Sequence, residues 1–296
     1  MYPSRFRYEA PRSLDDAIGL LDRYGDGAKI LAGGQSLVPM MKLRFASPEV
    51  LVDLNTVPGL DYHRREADGT LAVGALCRHV DLEFSDLLVE HQPTMAAAAR
   101  LIADPIVRNR GTLVGSVCHA DPQGDWASVL LALNGSIVAV GPNGRRAIPM
   151  TEFVLGPFQN ALLPGEIAVE ARIPAARGAT VGGYLKLERR VGDFATVGVA
   201  IAVELSGGTV TRAGVALTGV GPNNIKVDAA ETALVGSRLD PPTINEAARL
   251  AAEAAKPRSD HRGSAGYKRA VVATFVARLL GASRADLSST IGEVAA

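Results

Sequence analysis

Cysteine is scarce: Cys77 and Cys118 are the only two in 296 residues. Two thiols make no disulfide framework, and they cannot supply the four thiolates of an ordinary iron–sulfur cluster from within the chain. Net charge is missing too, with 31 Lys and Arg balanced by 31 Asp and Glu. A neutral chain is a poor general partner for nucleic acid or an anionic membrane surface. No apolar run approaches the ~20 residues of a membrane helix; the longest are stretches such as Val197 to Leu205. The opening, MYPSRFRYEAPRS, has no apolar core of a secretory signal. The expectation is therefore a cytoplasmic protein, with peripheral attachment at the inner face of the membrane through partners left open. Neither G-x-G-x-x-G after the first strand nor G-x-x-x-x-G-K-[ST] occurs, which argues against a Rossmann domain and a P-loop ATPase. A G-x-S-x-G elbow is absent as well, and five scattered histidines offer no hydrolase triad.

What is present is ample core material, 47% hydrophobic against 21% charged residues, in a length that suits roughly two domains. Ser13 opens a helix carrying Leu14, Ile18 and Leu21 on one face, with Gly25 as its stop. Lys29 to Ala32 reads as a strand running into Gly33-Gly34, Ser36 caps a short helix through Leu43, and Val50 to Leu54 is a second strand. That order is an α/β unit. A second unit holds the strand Leu71 to Gly74, an Ala-rich helix Pro93 to Ala103, a glycine-punctuated stretch Gly111 to Gly124, a helix Asp125 to Leu133 and a strand Ser136 to Val140. Past residue 160, Ala168–Ile173, Val181–Arg189, Val197–Leu205 and Val210–Leu217 read as strands of a small antiparallel sheet, with Ser206-Gly-Gly as a hairpin. Helices follow at Val227–Val235, Thr243–Ala255 and Tyr267–Leu280, and the tail from Ser283 to Ala296 is expected to fray. The boundary falls near Pro174 to Gly178, giving a domain over 1–176, with subdomains of about 1–56 and 57–176, and another over 177–296.

Two glycine turns carry the chemistry. Leu31-Ala32-Gly33-Gly34-Gln35-Ser36-Leu37 and Gly111-Thr112-Leu113-Val114-Gly115-Ser116 each follow apolar sequence and lead toward a helix. Glycines admit positive φ and close backbone approach, and successive amides make an anion nest. Two facing nests suit a pyrophosphate, with Ser36, Thr112 and Ser116 adding hydroxyls; the bland alternative is a pair of ordinary tight turns. His119, Asp121 and Asp125 lie close together but lack the helical spacing of a zinc enzyme, and no metal site is assigned. Asp125 is either a helix N-cap or a carboxylate for sugar hydroxyls. Alternation puts Tyr184, Lys186 and Glu188 on one strand face. Lys186 is either a solvated charge or a cation beside an electron-rich cofactor ring.

Ala32 to Arg44 (AGGQSLVPMMKLR), Gly111 to Asp125 (GTLVGSVCHADPQGD) and Tyr184 to Ala200 (YLKLERRVGDFATVGVA), in this order, resemble the FAD-binding medium subunits of molybdenum hydroxylases. The likeness is greatest toward the aerobic carbon monoxide dehydrogenase branch and runs through nearly the whole chain. It implies an α+β, PCMH/VAO-type FAD-binding fold: two α/β subdomains sandwich FAD, and a C-terminal antiparallel-sheet-and-helix domain covers the flavin. It also implies non-covalent FAD held at Ala32, Gly33, Gly34, Gln35, Ser36 and Leu37, and at Thr112, Leu113, Gly115 and Ser116. Ile102 and Val169 fall at apolar flavin contacts, Asp125 at a carboxylate for the cofactor's hydroxyls, and Lys186 beside the isoalloxazine. Phe194 stands where the carbon monoxide dehydrogenase relatives carry a Tyr shielding one flavin face. Val114 and Ser116 depart from the family's second Gly-Gly-Asn, and Val114 is expected to restrict positive φ there.

The function implied is an electron-transfer flavoprotein subunit. Molybdopterin resides on a large partner and [2Fe-2S] clusters on a small one, in a dimer of heterotrimers, and electrons leave to a quinone, NAD or oxygen. Carbon monoxide is the substrate favoured by overall likeness, while aldehydes, N-heterocycles and xanthine remain alternatives. A stand-alone FAD oxidoreductase and a cofactor-free docking scaffold are the rivals from other classes.

Overall fold

The computed structural model describes residues 2–294, with side chains through residue 285. The N-terminal subdomain is built on β1 (Arg7–Glu9), α1 (Leu14–Tyr24), β2 (Ala28–Leu31), α2 (Leu37–Lys42) and β3 (Val50–Asp53). Its sheet is parallel, ordered β1-β3-β2. The Ser13 hydroxyl caps α1 by accepting from the Asp16 N–H at 3.1 Å, and Gly25 ends it, as its sequence dictates. Parallel pairing places the turns after β2 and β3 at the same sheet end.

The second subdomain contains β4 (His63–Arg65), β5 (Leu71–Gly74), α3 (His79–Glu83), α4 (Asp86–His91), α5 (Pro93–Ala99), α6 (Pro105–Arg108), α7 (Leu113–His119) and α8 (Asp125–Ala132). It continues with β6 (Ser136–Gly141), β7 (Gly144–Pro149), α9 (Met150–Phe153), the small hairpin β8 (Val154–Gly156) and β9 (Gln159–Asn160), and β10 (Ile167–Ile173). Its antiparallel sheet runs β4-β5-β10-β6-β7. Three expectations change here. The strand over Ala168–Ile173 pairs with β5 and β6 and so belongs to this sheet, not to the C-terminal one. The Ala-rich helix ends at Ala99, because the Asp104 carboxylate caps a separate turn of helix at the Val107 N–H, 2.9 Å away. The stretch Gly111 to Gly124 holds a true helix, α7, capped by Thr112.

The C-terminal domain has the antiparallel sheet β11 (Ala179–Leu187), β12 (Val197–Ser206), β13 (Thr209–Thr218) and β14 (Ile225–Lys226), backed by α10 (Asp228–Leu234), α11 (Pro241–Ala254) and α12 (Ala265–Val294). Ser206-Gly207-Gly208 closes the β12–β13 hairpin as expected. The backbone of α12 continues through the tail expected to fray; Ala295 and Ala296 lie outside the described residues.

β12 is buried on both faces. Val197, Val199, Ile201, Val203 and Leu205 meet α10–α12, while Ala200 and Ala202 join the core of the second subdomain. That second face carries small residues because α5 and α8 lie directly upon the sheet: a Cβ at Gly214 would fall 1.8 Å from the Ala132 carbonyl oxygen. Among the described residues no helix is long and apolar enough to cross a membrane.

Candidate functional site

The two glycine turns meet. A Cβ at Gly33 would lie 2.2 Å from the Arg110 carbonyl oxygen and 2.8 Å from the Gly111 Cα, so main chain passes main chain and only glycine fits. A Cβ at Gly115 would reach Ala32 Cβ at 4.0 Å. The first turn has the expected geometry, with Gly34 at φ +75° leading into α2. Ser36 stands at the N-cap of α2 without spending its hydroxyl on the cap.

The second turn differs from a nest. Thr112 is extended and its Oγ1 accepts from the Gly115 N–H at 3.1 Å, so Leu113, Val114, Gly115 and Ser116 form the first turn of α7. Gly115 is needed for space, since a Cβ there would lie 2.7 Å from Thr112 Oγ1. Val114 sits in helical backbone with its side chain buried, so its departure from the family pattern demands no positive φ and tilts nothing.

Beside the loops lies a buried ion pair. Asp125 is the first residue of α8, with Gly124 and not Asp125 at the N-cap. Its carboxylate turns inward, accepting from Tyr184 OH at 2.6 Å and Lys186 Nζ at 3.0 Å. Lys186 also donates to the Leu101 carbonyl oxygen at 2.9 Å and faces Glu188 at 3.4 Å. Its side chain is 1% exposed, which rules out the solvated-charge reading. Burial pushes the Asp125 carboxyl above the ordinary carboxylate range, and Lys186 and the Tyr184 hydroxyl pull it back. Burial, with Asp125 adding to it, drives the Tyr184 phenol far up. Gly198 makes room for that phenol: a Cβ there would fall 2.3 Å from the hydroxyl.

Most of the remaining residues singled out join this region. Ile102 is buried next to Leu101, the carbonyl that Lys186 grips. Val169 on β10 packs in one apolar cluster with Ile30 and Ala32, and its carbonyl accepts from the Ala75 N–H at 2.9 Å. Ser116 reaches Gly124, whose Cβ would lie 4.0 Å from Ser116 Oγ, linking α7 to α8. Phe194 is 48% exposed on the loop after β11. Arg262 fastens that loop: its guanidinium donates to the Phe194 carbonyl oxygen at 3.2 Å, pairs with Asp193 at 3.4 Å and reaches Gln123 Oε1 at 3.5 Å. His119 does not join Asp125; its ring packs on Phe158 at 5.1 Å between centroids. Sequence reasoning missed Asn55, Arg78 and Arg262. The position of Asn55 just past a parallel strand's carboxyl end was the available signal, because ligands of open α/β sheets gather there.

These residues fit a dinucleotide. A seam where two main chains touch, an unspent hydroxyl at Ser36 and an adjacent buried carboxylate–lysine pair offer amides, hydroxyls and fixed charge along one path. Comparison with known proteins agrees. Residues 4–176 match the family described as the FAD binding domain in molybdopterin dehydrogenase, and residues 183–283 match the CO dehydrogenase flavoprotein C-terminal domain. The chain is 42% identical over 283 residues to the carbon monoxide dehydrogenase medium chain of Hydrogenophaga pseudoflava, covering 96% of this chain and 98% of that one. It is 40% identical over 281 residues to subunit alpha of the 6-hydroxypseudooxynicotine dehydrogenase complex of Paenarthrobacter nicotinovorans, covering 95% of each. Its structure superposes with a TM-score of 0.92 on the carbon monoxide dehydrogenase of H. pseudoflava lacking the Mo-pyranopterin moiety, at 44% identity, covering 96% of this chain and 99% of that one.

Proposed function

The chain belongs to the family of FAD-binding medium subunits of molybdenum hydroxylases, and from that premise we propose that it relays electrons within an aerobic carbon monoxide dehydrogenase. In this reading substrate is oxidised at molybdopterin on a large partner. Electrons cross [2Fe-2S] clusters on a small partner, reach this chain, and leave to a quinone, NAD or oxygen, the whole being a dimer of heterotrimers. The observation that carries the FAD-binding half of the reading is the contact of Gly33 with Arg110–Gly111, which brings two loops from separate subdomains to one seam.

Bound FAD supplies the redox chemistry of its isoalloxazine; the protein supplies position and electrostatics. Ala32 to Leu37 and Thr112 to Ser116 would hold the diphosphate and ribityl chain, with Ile102 and Val169 as apolar contacts. Asp125, both of whose oxygens keep lone pairs beyond the bonds from Tyr184 and Lys186, would accept from the cofactor's hydroxyls. Lys186 would present fixed positive charge near the ring, held by hydrogen bonds to the Leu101 carbonyl and the Asp125 carboxylate, with Glu188 3.4 Å away. Phe194 would cover one flavin face with an apolar ring, where a Tyr would add a hydroxyl.

Purifying the complex through this chain tests the proposal. The expected result is a yellow complex with a large molybdenum subunit and a small iron–sulfur subunit that oxidises carbon monoxide. A complex that oxidises an aldehyde or an N-heterocycle and not carbon monoxide would overturn the substrate assignment. A chain purified without partners would overturn the relay.

A further inference from the structure

We propose that Asn55 and Arg78 form a clasp that locks the two cofactor loops in register, making both of them positioning residues for the diphosphate; this rests on the reading that FAD binds at those loops. Asn55 follows β3 in the N-terminal subdomain. Its Nδ2 donates to the Ala32 carbonyl oxygen at 2.9 Å, the first loop's opening peptide. The same side chain is braced by the buried Asp53, whose Oδ1 accepts from the Asn55 backbone N–H at 2.9 Å and from Nδ2. Tyr8 donates to the other Asp53 oxygen. Arg78 belongs to the second subdomain, just before α3. Its Nη1 donates to the Arg110 carbonyl oxygen at 2.7 Å, and its Nη2 donates to Asn55 Oδ1.

Each loop is thus gripped by one residue, and the two grips are bonded to each other. The Arg110 carbonyl is also the atom that Gly33 touches, so Gly33, Arg78 and the second loop converge on one oxygen. The second loop is fastened further by the His79 N–H, which donates to the Gly111 carbonyl oxygen at 2.9 Å, and by bridge pairing of Arg78 with Thr112. Tying the Ala32 carbonyl back to Asn55 fixes the plane of the trans Ala32–Gly33 peptide, and that turns the Gly33 N–H to the opposite side, away from Asn55. Geometry of this kind is what a diphosphate needs from main-chain donors, and a planar guanidinium fork can span two acceptors where a single ammonium cannot.

The test uses the assembled complex, stripped of flavin and reloaded. FAD affinity is read from flavin fluorescence for wild type, Asn55→Ala, Arg78→Lys and the double variant, with Asn55→Ser in place of Asn55→Ala if that complex does not assemble. ADP and AMP then compete for reloading. Each single change is expected to weaken FAD and ADP binding by about tenfold, which is ~1.4 kcal/mol, and AMP much less, so that the ADP-over-AMP preference falls. The double variant is expected to lose less than the sum of the two single losses, because the bond between Arg78 Nη2 and Asn55 Oδ1 is removed in both, and strict additivity would also overturn the clasp. Retention of wild-type FAD affinity by Arg78→Lys or by the Asn55 variant would overturn the clasp and leave at most a charge effect. A parallel fall in ADP and AMP would also overturn it, as a general loosening of the fold. A wild-type complex that never carried FAD would overturn the underlying FAD reading and the clasp with it, an outcome distinct from either of the others.

Discussion

Replacing Lys186 with Met separates electrostatics from packing, because the two side chains have similar length and flexibility. In the native chain the Lys186 side chain is 1% exposed and its ammonium is bonded to Asp125 and the Leu101 carbonyl, with Glu188 3.4 Å away. Lys186→Met leaves the buried Asp125 carboxylate with no cation, a loss that typically costs about 3–5 kcal/mol. At roughly 2–4 °C per kcal/mol for a chain of this size, the melting temperature should fall by about 10 °C. The deficit should also depend on pH. Asp125 already sits above the ordinary carboxylate range through burial, and losing Lys186 drives it higher. A carboxyl with a raised folded-state pKa favours the folded state when protonated and loses that advantage as pH rises through the raised value. The variant's deficit should therefore shrink as pH falls toward the ordinary carboxylate range. Adding Asp125→Asn to Lys186→Met should recover most of the loss at neutral pH. Calorimetry of the purified complex across pH reads all three effects. A Lys186→Met melting point equal to wild type, or a deficit that ignores pH and survives Asp125→Asn, would refute the claim that this pair is a charge-balanced unit.

Gly33→Ala should abolish FAD retention during gel filtration, since its Cβ would sit 2.2 Å from backbone that cannot rotate away; a yellow variant would contradict the seam. His79 accepts from Trp126 Nε1 at 3.1 Å, and burial lowers its pKa to about 4. Because the folded state then binds fewer protons than the unfolded, stability should decline by about 3 kcal/mol as pH falls from 6.5 to 4. That contribution should vanish in His79→Gln, as measured by urea titration at the two pH values. Lys186→Met should lower the potential of the bound flavin in spectroelectrochemical titration, because a fixed cation favours the anionic reduced ring; an unchanged potential would remove that role. The Cys77 thiol, fully buried and raised to about 12, should resist thiol reagents at pH 8 until the chain is unfolded.

The order of elements was legible because periodicity and capping agree along the chain: Ser13 and Gly25 bound α1, and the Ser206-Gly-Gly turn sets the β12–β13 register. The strand expected over Ala168–Ile173 falls in the other sheet because apolar sequence records burial, not partners, and its partners β5 and β6 precede it in the second subdomain. Gly115 looked like a nest residue because glycine in sequence does not tell positive φ from lack of room; here Thr112 Oγ1 takes the space. The polarity of Lys186 pointed two ways, and only the fold shows Asp125 waiting 61 residues earlier to neutralise it. Asn55 and Arg78 went unnoticed because each looks like an ordinary surface polar residue until the subdomains are folded together.

β12, sealed on one side by branched aliphatics and on the other by alanines pressed against α5 and α8, belongs to the cores of both halves at once. Prying the C-terminal domain off the second subdomain would expose the alanine face with the α5 and α8 surfaces it covers, and strip Tyr184 and Lys186 from Asp125 in the same motion. The C-terminal domain therefore cannot swing off the second subdomain as a free lid. A dinucleotide beside that buried pair would therefore come and go through movement of the loops around it, not through hinging of the domain that covers it.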